Sequence, residues 1–195
     1  MQTNLPKSIE SHPLRPFLPT NAKVLFLGSF PPKKNRWSME FFYPNFQNDM
    51  WRIWGLLYFG NPNYFVVKDE KKFDYNKVVD FCNKLGFAIY DTATSVCRLQ
   101  DNASDKFLEV VEETDLQKLL QSIPDCKVIV TTGEKATDVL VSKYGCEKPK
   151  VGEYVTLVIS GKSYLFYRMP SSSRAYPLAL AKKAEAYSVL KQYFE

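Results

Sequence analysis

Short apolar runs alternate with stretches of helical periodicity along most of this chain, and no other feature restricts its fold as much. The runs Lys23–Gly28, Phe87–Tyr90 and Lys127–Thr131 are continuous, as in strands that are buried on both faces. Helical spacing is found over residues 48–58, 75–85, 108–123, 133–144 and about 177–193. Residues 154–159 and 164–168 flank a polar turn and predict a hairpin. The alternation predicts a three-layer α/β/α sandwich around a central, mainly parallel sheet.

The 195 residues are the length of one domain, and we expect it to cover residues 23–195. Residues 1–22 contain four prolines and predict an extended arm. No apolar run approaches the roughly 20 residues that span a bilayer, so no membrane association is expected. The four cysteines are far apart in the sequence, and residues 1–16 lack the apolar stretch of a signal peptide. These features predict a cytoplasmic protein with free thiols.

The single histidine, His12, lies in the proline-rich arm, far in the sequence from every other candidate residue. A Ser-His-Asp triad and a metal site with several histidines are therefore not expected. The cysteines form no CxxC pair, which argues against an iron–sulfur cluster or a zinc ribbon. The sequence thus predicts a protein without a metal or a cofactor.

Ligands of parallel sheets bind beyond the carboxyl ends of the strands, so the segments after those ends are the places to look for chemistry. The segment after the first strand is rich in aromatic residues: seven of the eighteen residues from Trp37 to Trp54. Trp51 and Trp54 fall on the apolar side of the following helix and are expected in the core. Tyr43 lies beside Pro44 in the loop, where its ring could stack on a planar ligand such as a nucleobase.

The segment before the last helix is rich in hydroxyl groups. Ser171, Ser172 and Ser173 follow Pro170, and Arg174 comes next. Such a loop suits a phosphate, with the hydroxyls as donors and the arginine as countercharge. Capping of the helix by one serine is the alternative.

Together these segments resemble the uracil-DNA glycosylase superfamily, and most closely its mismatch-specific uracil/thymine and deoxyinosine (hypoxanthine) branches. The matching motifs are Leu27–Pro31, then Tyr43-Pro44 with Asn48 and Trp51 in register, and Met169–Ser173. The segment His12–Pro16 is similar to the lead-in of the deoxyinosine branch.

The resemblance implies that a target nucleotide leaves the duplex and enters a pocket. Tyr43 would then stack on the flipped base, and the backbone at Ser29 and Phe30 would line the pocket and bind the edge of the base. The three serines would hold the flanking phosphates, and Arg174 would fill the gap in the base stack. Phe30 replaces the asparagine that the thymine/uracil branch uses to hold the attacking water, and deoxyinosine-like members also lack that asparagine.

Hydrolysis of an N-glycosidic bond passes through a cationic sugar, so the site needs a group that positions water near it. The candidates are Asn48 and Asp91. Asn48 could instead cap the helix that follows it, and Asp91 could belong to a turn with Thr92 and Thr94.

Lys33 and Lys34 flank the first motif and could follow the DNA backbone, although a solvated loop also explains them. The formal net charge of +5 is compatible with a polyanionic partner.

The resemblance predicts a monomeric, monofunctional DNA glycosylase of base-excision repair, acting on duplex DNA that carries uracil, hypoxanthine or a related base. Two alternatives stay open: a non-catalytic nucleic-acid-binding member of the superfamily, and an unrelated α/β enzyme that acts on a small nucleotide.

Overall fold

The computed structural model describes residues 8–99 and 107–195. Its strands are β1 Ile9–Ser11, β2 Val24–Gly28, β3 Phe87–Asp91, β4 Ala93–Arg98, β5 Leu108–Glu113, β6 Val128–Thr132, β7 Tyr154–Ile159 and β8 Lys162–Met169. Its α-helices are α1 Met50–Phe59, α2 Tyr75–Leu85, α3 Leu116–Ser122, α4 Glu134–Tyr144 and α5 Leu180–Tyr187. Short 3-10 helices cover Lys34–Arg36 and Ser188–Tyr193.

The central sheet has five strands in the order β3-β2-β6-β8-β7. The first four are parallel, and β7 forms an antiparallel hairpin with β8. Every residue of β2, β3 and β6 is buried, as expected for the continuous apolar runs. The prediction of an α/β fold with a mainly parallel central sheet is confirmed.

Helices cover both faces of this sheet. Phe26 of β2 stacks on Phe87 with ring centroids 3.9 Å apart, and its edge packs on Trp54 of α1 at 5.8 Å. Its neighbour Leu27 points the other way, because side chains alternate along a strand. Leu27 borders the same small gap as Leu116 of α3 and Leu140 of α4. These contacts put α1 on one face of the sheet and α3 and α4 on the other.

A second, three-stranded sheet with the order β1-β4-β5 was not predicted. The expectation of one helix over residues 108–123 is wrong in its first half, because Leu108–Glu113 is strand β5, paired antiparallel with β4. The β-branched pair Val110 and Val111 suits a strand. Asp115 then accepts a hydrogen bond from the Lys118 amide and starts α3. Pairing with a distant strand here outweighs the local apolar spacing.

The last helix is shorter than predicted. It begins at Leu180 instead of Pro177, because turns occupy the preceding residues. The Tyr176 amide donates to the carbonyl of Ser173, and the Leu178 amide to that of Tyr176. The helix continues beyond Tyr187 as a 3-10 helix.

The described part of the N-terminal segment, residues 8–22, runs along the edges of both sheets; Pro6 lies outside the described residues. Ser11 of β1 pairs with Ser95 of β4. Phe17 exchanges backbone hydrogen bonds of 3.0 and 2.9 Å with Ile89 of β3. The segment therefore connects the small sheet to the outer edge of the central one.

Across residues 8–99 and 107–195, none of the helices has both the length and the apolar character needed to traverse a bilayer.

Candidate functional site

A cleft of about 1200 Å³ opens at the carboxyl ends of the parallel strands. The aromatic loop after β2 and the serine loop after β8 meet across it, so that Tyr43 and Ser172 line the same space. The predicted residues on its wall are Ser29, Phe30, Tyr43, Asn48, Asp91, Ser171, Ser172, Ser173 and Arg174. Lys33 and Lys34 are exposed and are not among the lining residues, whereas their neighbour Arg36 is. Lys34 instead lies over the Trp37 ring, with its ammonium 3.9 Å from the centroid.

Tyr43 has an unusual backbone conformation, and contacts of its hydroxyl and its ring hold the side chain in place. Its backbone has a φ of 51°, in the left-handed region that a bulky residue rarely adopts. Its hydroxyl is 2.9 Å from the hydroxyl of Thr132 at the end of β6, and its ring packs against Trp51. A strained backbone held by surrounding contacts is common at ligand sites.

Gly28 makes room for a carboxylate. It pairs with Asp91 across β2 and β3, and a Cβ atom added to it would lie 2.5 Å from Asp91 Oδ1. The same Cβ would lie 3.6 Å from the Tyr43 hydroxyl. Only glycine leaves space for this close approach, and the carboxylate and the phenol flank one point on the floor of the cleft.

Asp91 is paired with the histidine. His12 Nε2 lies 2.8 Å from Asp91 Oδ2, and the two side chains are 2% and 10% exposed. The expectation that His12 is far from every candidate site is therefore wrong, because β1 carries the arm back to the end of β3. No spacing in the sequence could have indicated this contact, since 79 positions separate the two residues.

Ser29 and Phe30 differ in their surroundings. The Phe30 ring packs with Ala93, Val96 and Leu108 in a small second core, and the residue lines the cleft while being buried. The Ser29 hydroxyl is buried at the cleft and has no hydrogen-bond partner among the described residues. A buried hydroxyl without a partner costs free energy, so a ligand that bonded to it would relieve that cost.

Asn48 lies one residue before Asp49, the N-cap of α1, so the alternative of a capping asparagine does not describe its position. Its Oδ1 accepts a 2.9 Å hydrogen bond from the Met50 amide. Asn48 also forms a backbone bridge with Ser173, and the Asp49 amide donates to the carbonyl of Ser172 at 2.8 Å. The start of α1 and the serine loop are therefore tied together.

Two serine hydroxyls hold the shape of their own loop. Ser171 Oγ accepts from the Ser173 amide at 3.2 Å, and Ser173 Oγ accepts from the Ala175 amide at 3.2 Å. Arg174 donates from Nε to Asp49 Oδ1 at 3.0 Å. It must release this carboxylate before it could enter a gap in a base stack.

A buried lysine, missed in the sequence, lies beneath the serine loop. Lys183 of α5 is 1% exposed and donates to Asp49 Oδ2 at 3.1 Å and to the carbonyl of Ser173 at 2.8 Å. The guanidinium of Arg52, on the next turn of α1, is partly desolvated and close to Arg174, and both effects lower its pKa. The base of the loop is thus a connected network of charges.

Within residues 8–99 and 107–195, no group of three or more histidine, cysteine, aspartate or glutamate side chains is placed to hold a metal ion.

No protein-family model matches this sequence, and no curated protein matches it significantly. A solution NMR structure, of a "putative Uracil DNA glycosylase" from Methanosarcina acetivorans, is similar to this chain with a TM-score of 0.60. The similarity covers 94% of this chain and 99% of the other, at 20% sequence identity. The chain therefore shares the fold of that protein over nearly its whole length.

Proposed function

We propose that this protein is a monofunctional DNA glycosylase that hydrolyses the N-glycosidic bond of a deaminated or mismatched base, such as uracil or hypoxanthine. The observation that carries the proposal is the meeting of the aromatic loop and the serine loop across one cleft at the carboxyl ends of the sheet. The motifs shared with the uracil-DNA glycosylase superfamily and the fold shared with the Methanosarcina protein support it. We further propose a monomer with one catalytic domain, residues 23–195, and an arm formed by residues 1–22.

The target base would enter the cleft after the nucleotide leaves the duplex, at a cost of a few kcal/mol. Tyr43 would stack on it, because its anchored ring borders the cleft at half-burial. The backbone at Ser29 and Phe30 would bind its edge, because both residues line the cleft.

The flanking phosphates would lie on the serine loop. Ser171 and Ser173 each accept a backbone hydrogen bond, so the hydrogen of each hydroxyl is left to donate outward. Arg174 and Arg36 on the cleft wall would supply positive charge, and phosphate contacts of this kind weaken steeply with salt.

In the reaction, water adds to C1′ of the sugar while the glycosidic bond breaks and its electron pair leaves with the base. A carboxylate near C1′ would stabilise the cationic sugar and take up the proton of the water. Asp91 suits this task because His12 holds Oδ2 while Oδ1 faces Gly28. Asn48 would hold the water, since an amide oxygen that already accepts one hydrogen bond has a second lone pair.

One observation favours a non-catalytic nucleic-acid-binding protein instead. Phe30 stands where the thymine/uracil branch has its asparagine, and its ring is 7% exposed and packed in the small core. Phe30 is also compatible with the deoxyinosine-like members, so this residue fits both a glycosylase and a non-catalytic binding protein. An assay of base excision separates these two functions, because only the glycosylase turns over.

The test is strand cleavage of duplexes that carry uracil, hypoxanthine, xanthine or a thymine mispair. We expect breaks after treatment with alkali and none before it, as for a monofunctional enzyme. Asn48→Ala should slow excision by roughly 10²–10³-fold, as does loss of one transition-state donor, and Asp91→Asn should also slow it.

Asp138→Asn is the matched control, because Asp138 lines the same cleft but pairs with Lys148 at its rim. Its activity should equal that of the unmodified protein. Binding of the duplexes without any breaks would support the non-catalytic alternative.

A further inference from the structure

We propose that His12 is a positioning residue for Asp91, so that the N-terminal segment completes the active site. The proposal rests on the proposed function, in which Asp91 acts on the water or on the cationic sugar. It concerns a residue that the motifs of the sequence do not place in the site.

The contact leaves Asp91 with one oxygen held and one oxygen at the cleft. His12 Nε2 lies 2.8 Å from Oδ2, and Oδ1 lies over Gly28, beside the same space that the Tyr43 hydroxyl borders. The Asp91 side chain is 10% exposed, so a negative charge here needs a hydrogen-bond donor in place of lost water. His12 is that donor.

The other ring nitrogen of His12 faces both a donor and an acceptor. Nδ1 lies 2.9 Å from the carbonyl oxygen of Leu14 and 3.1 Å from its amide nitrogen. In the neutral ring the Leu14 amide donates to Nδ1, and the proton stays on Nε2. In the protonated ring Nδ1 donates to the Leu14 carbonyl. Nε2 therefore carries a proton toward Asp91 in both states.

The backbone and three aromatic rings fix the position of the imidazole. The His12 amide donates to the carbonyl of Thr94 at 2.8 Å. Its ring lies 4.6 Å from that of Tyr90, 5.1 Å from Phe30 and 6.1 Å from Phe42. The His12 side chain is 2% exposed, so it has little freedom to turn away from the carboxylate.

Other titratable groups lie near His12 and Asp91, but we assign the role of hydrogen-bond donor to His12. Burial, and then the charges of Asp91 and Glu112, raise the pKa of Tyr90, which keeps that phenol neutral. Arg98, over the far side of the Phe30 ring, is engaged by Glu10 at 3.0 Å. The Tyr43 phenol is a further neighbour, close to the same face of Gly28 as Asp91 Oδ1.

The first test compares His12→Phe with His12→Gln in base excision from pH 5 to 9. Phenylalanine keeps the ring packing and removes the donor, whereas the glutamine amide can still donate to Asp91. For His12→Phe we expect kcat at pH 7 to fall roughly 10–100-fold with little change in KM. This loss is smaller than the roughly 10²–10⁴-fold that general acid–base catalysis contributes, because Asp91 itself is still present.

We also expect the pH profile of kcat in His12→Phe to differ from that of the unmodified protein, because Asp91 has lost its donor. His12→Gln should recover most of kcat. Ser11→Ala, a change of an exposed residue of β1, is the matched control and should leave kcat unchanged.

An unchanged kcat and pH profile in His12→Phe, with only a lower melting temperature, would overturn the proposal. So would a His12→Gln variant as impaired as His12→Phe.

A second measurement separates this proposal from the proposed function. The ¹³C chemical shift of the Asp91 carboxyl group at pH 7, measured by NMR, should differ between His12→Phe and the unmodified protein, because the donor to Oδ2 is lost. This readout holds even if no base is excised. If the two chemical shifts coincide, His12 does not govern Asp91, whatever reaction the cleft performs.

Discussion

Replacement of the buried lysine under the serine loop should destabilise the protein strongly. Lys183 is 1% exposed, and its ammonium donates both to Asp49 Oδ2 and to the carbonyl of Ser173. Lys183→Met keeps most of the volume of the side chain and removes both hydrogen bonds. The Asp49 side chain, 8% exposed, then keeps its contact with Arg174.

The magnitude follows from the burial of the pair. Removing one partner of a buried ion pair costs about 3–5 kcal/mol, because the other charge is left uncompensated. Arg174 still holds one oxygen of Asp49, so we expect the low end, about 3 kcal/mol. With a urea dependence of about 1–3 kcal/mol per molar, the unfolding midpoint should fall by roughly 1–3 M.

Urea unfolding followed by fluorescence measures the change, and the neighbouring residue supplies the control. Lys182 pairs with Glu185 on the exposed side of the same helix, so Lys182→Met should leave the midpoint unchanged. In the double variant Asp49→Leu/Lys183→Met, the carboxylate that Lys183 neutralises is absent as well. The double variant should therefore be more stable than Lys183→Met alone.

A loss of less than about 1 kcal/mol in Lys183→Met would refute the reasoning, because it would mean that the buried charge of Asp49 does not depend on the lysine. A double variant no more stable than Lys183→Met would refute the assignment of the cost to Asp49.

Two further predictions concern the floor of the cleft and the core. Tyr43→Ala should weaken binding of a flipped base by about 1–3 kcal/mol, whereas Tyr43→Phe, which keeps the ring and loses the hydroxyl's bond to Thr132, should bind normally; equal affinities of the two variants in duplex titrations would exclude stacking. Burial raises the pKa of the Cys126 thiol from 9.0 to about 12. The folded state then keeps a proton that the unfolded chain loses above pH 9, so this thiol's contribution to stability is present below pH 9 and is lost between pH 9 and about 12. Cys126→Ala should reduce the fall of melting temperature with pH over this interval, and an unchanged slope would contradict the assignment.

The parallel strands could be predicted from the sequence because burial on both faces leaves a continuous apolar run, as in β2 and β6. Helix α2 could also be predicted from the sequence, because Asp74 caps its start and Gly86 ends it in a left-handed conformation. In both cases the determining interactions are local, so a few neighbouring residues carry the information.

The small sheet and the pairing of His12 with Asp91 could not be predicted, because both depend on contacts between distant parts of the chain. Ser11 meets Ser95, and no periodicity in either segment records the partner. Two adjacent lysines of α5, Lys182 and Lys183, also show that the local sequence does not determine burial. The side chain of the first is 67% exposed and that of the second 1%, although they are adjacent and identical.

Contacts between distant parts of the chain also set the order in which the cleft can form during synthesis. The segment that carries His12 can form its pairs only after β3 and β4 have followed. The serine loop and Lys183 come after β8, so the contacts of Asp49 with Arg174 and Lys183 cannot form earlier. A chain that stops before the serine loop would therefore contain the strands of the central sheet but lack one wall of the cleft.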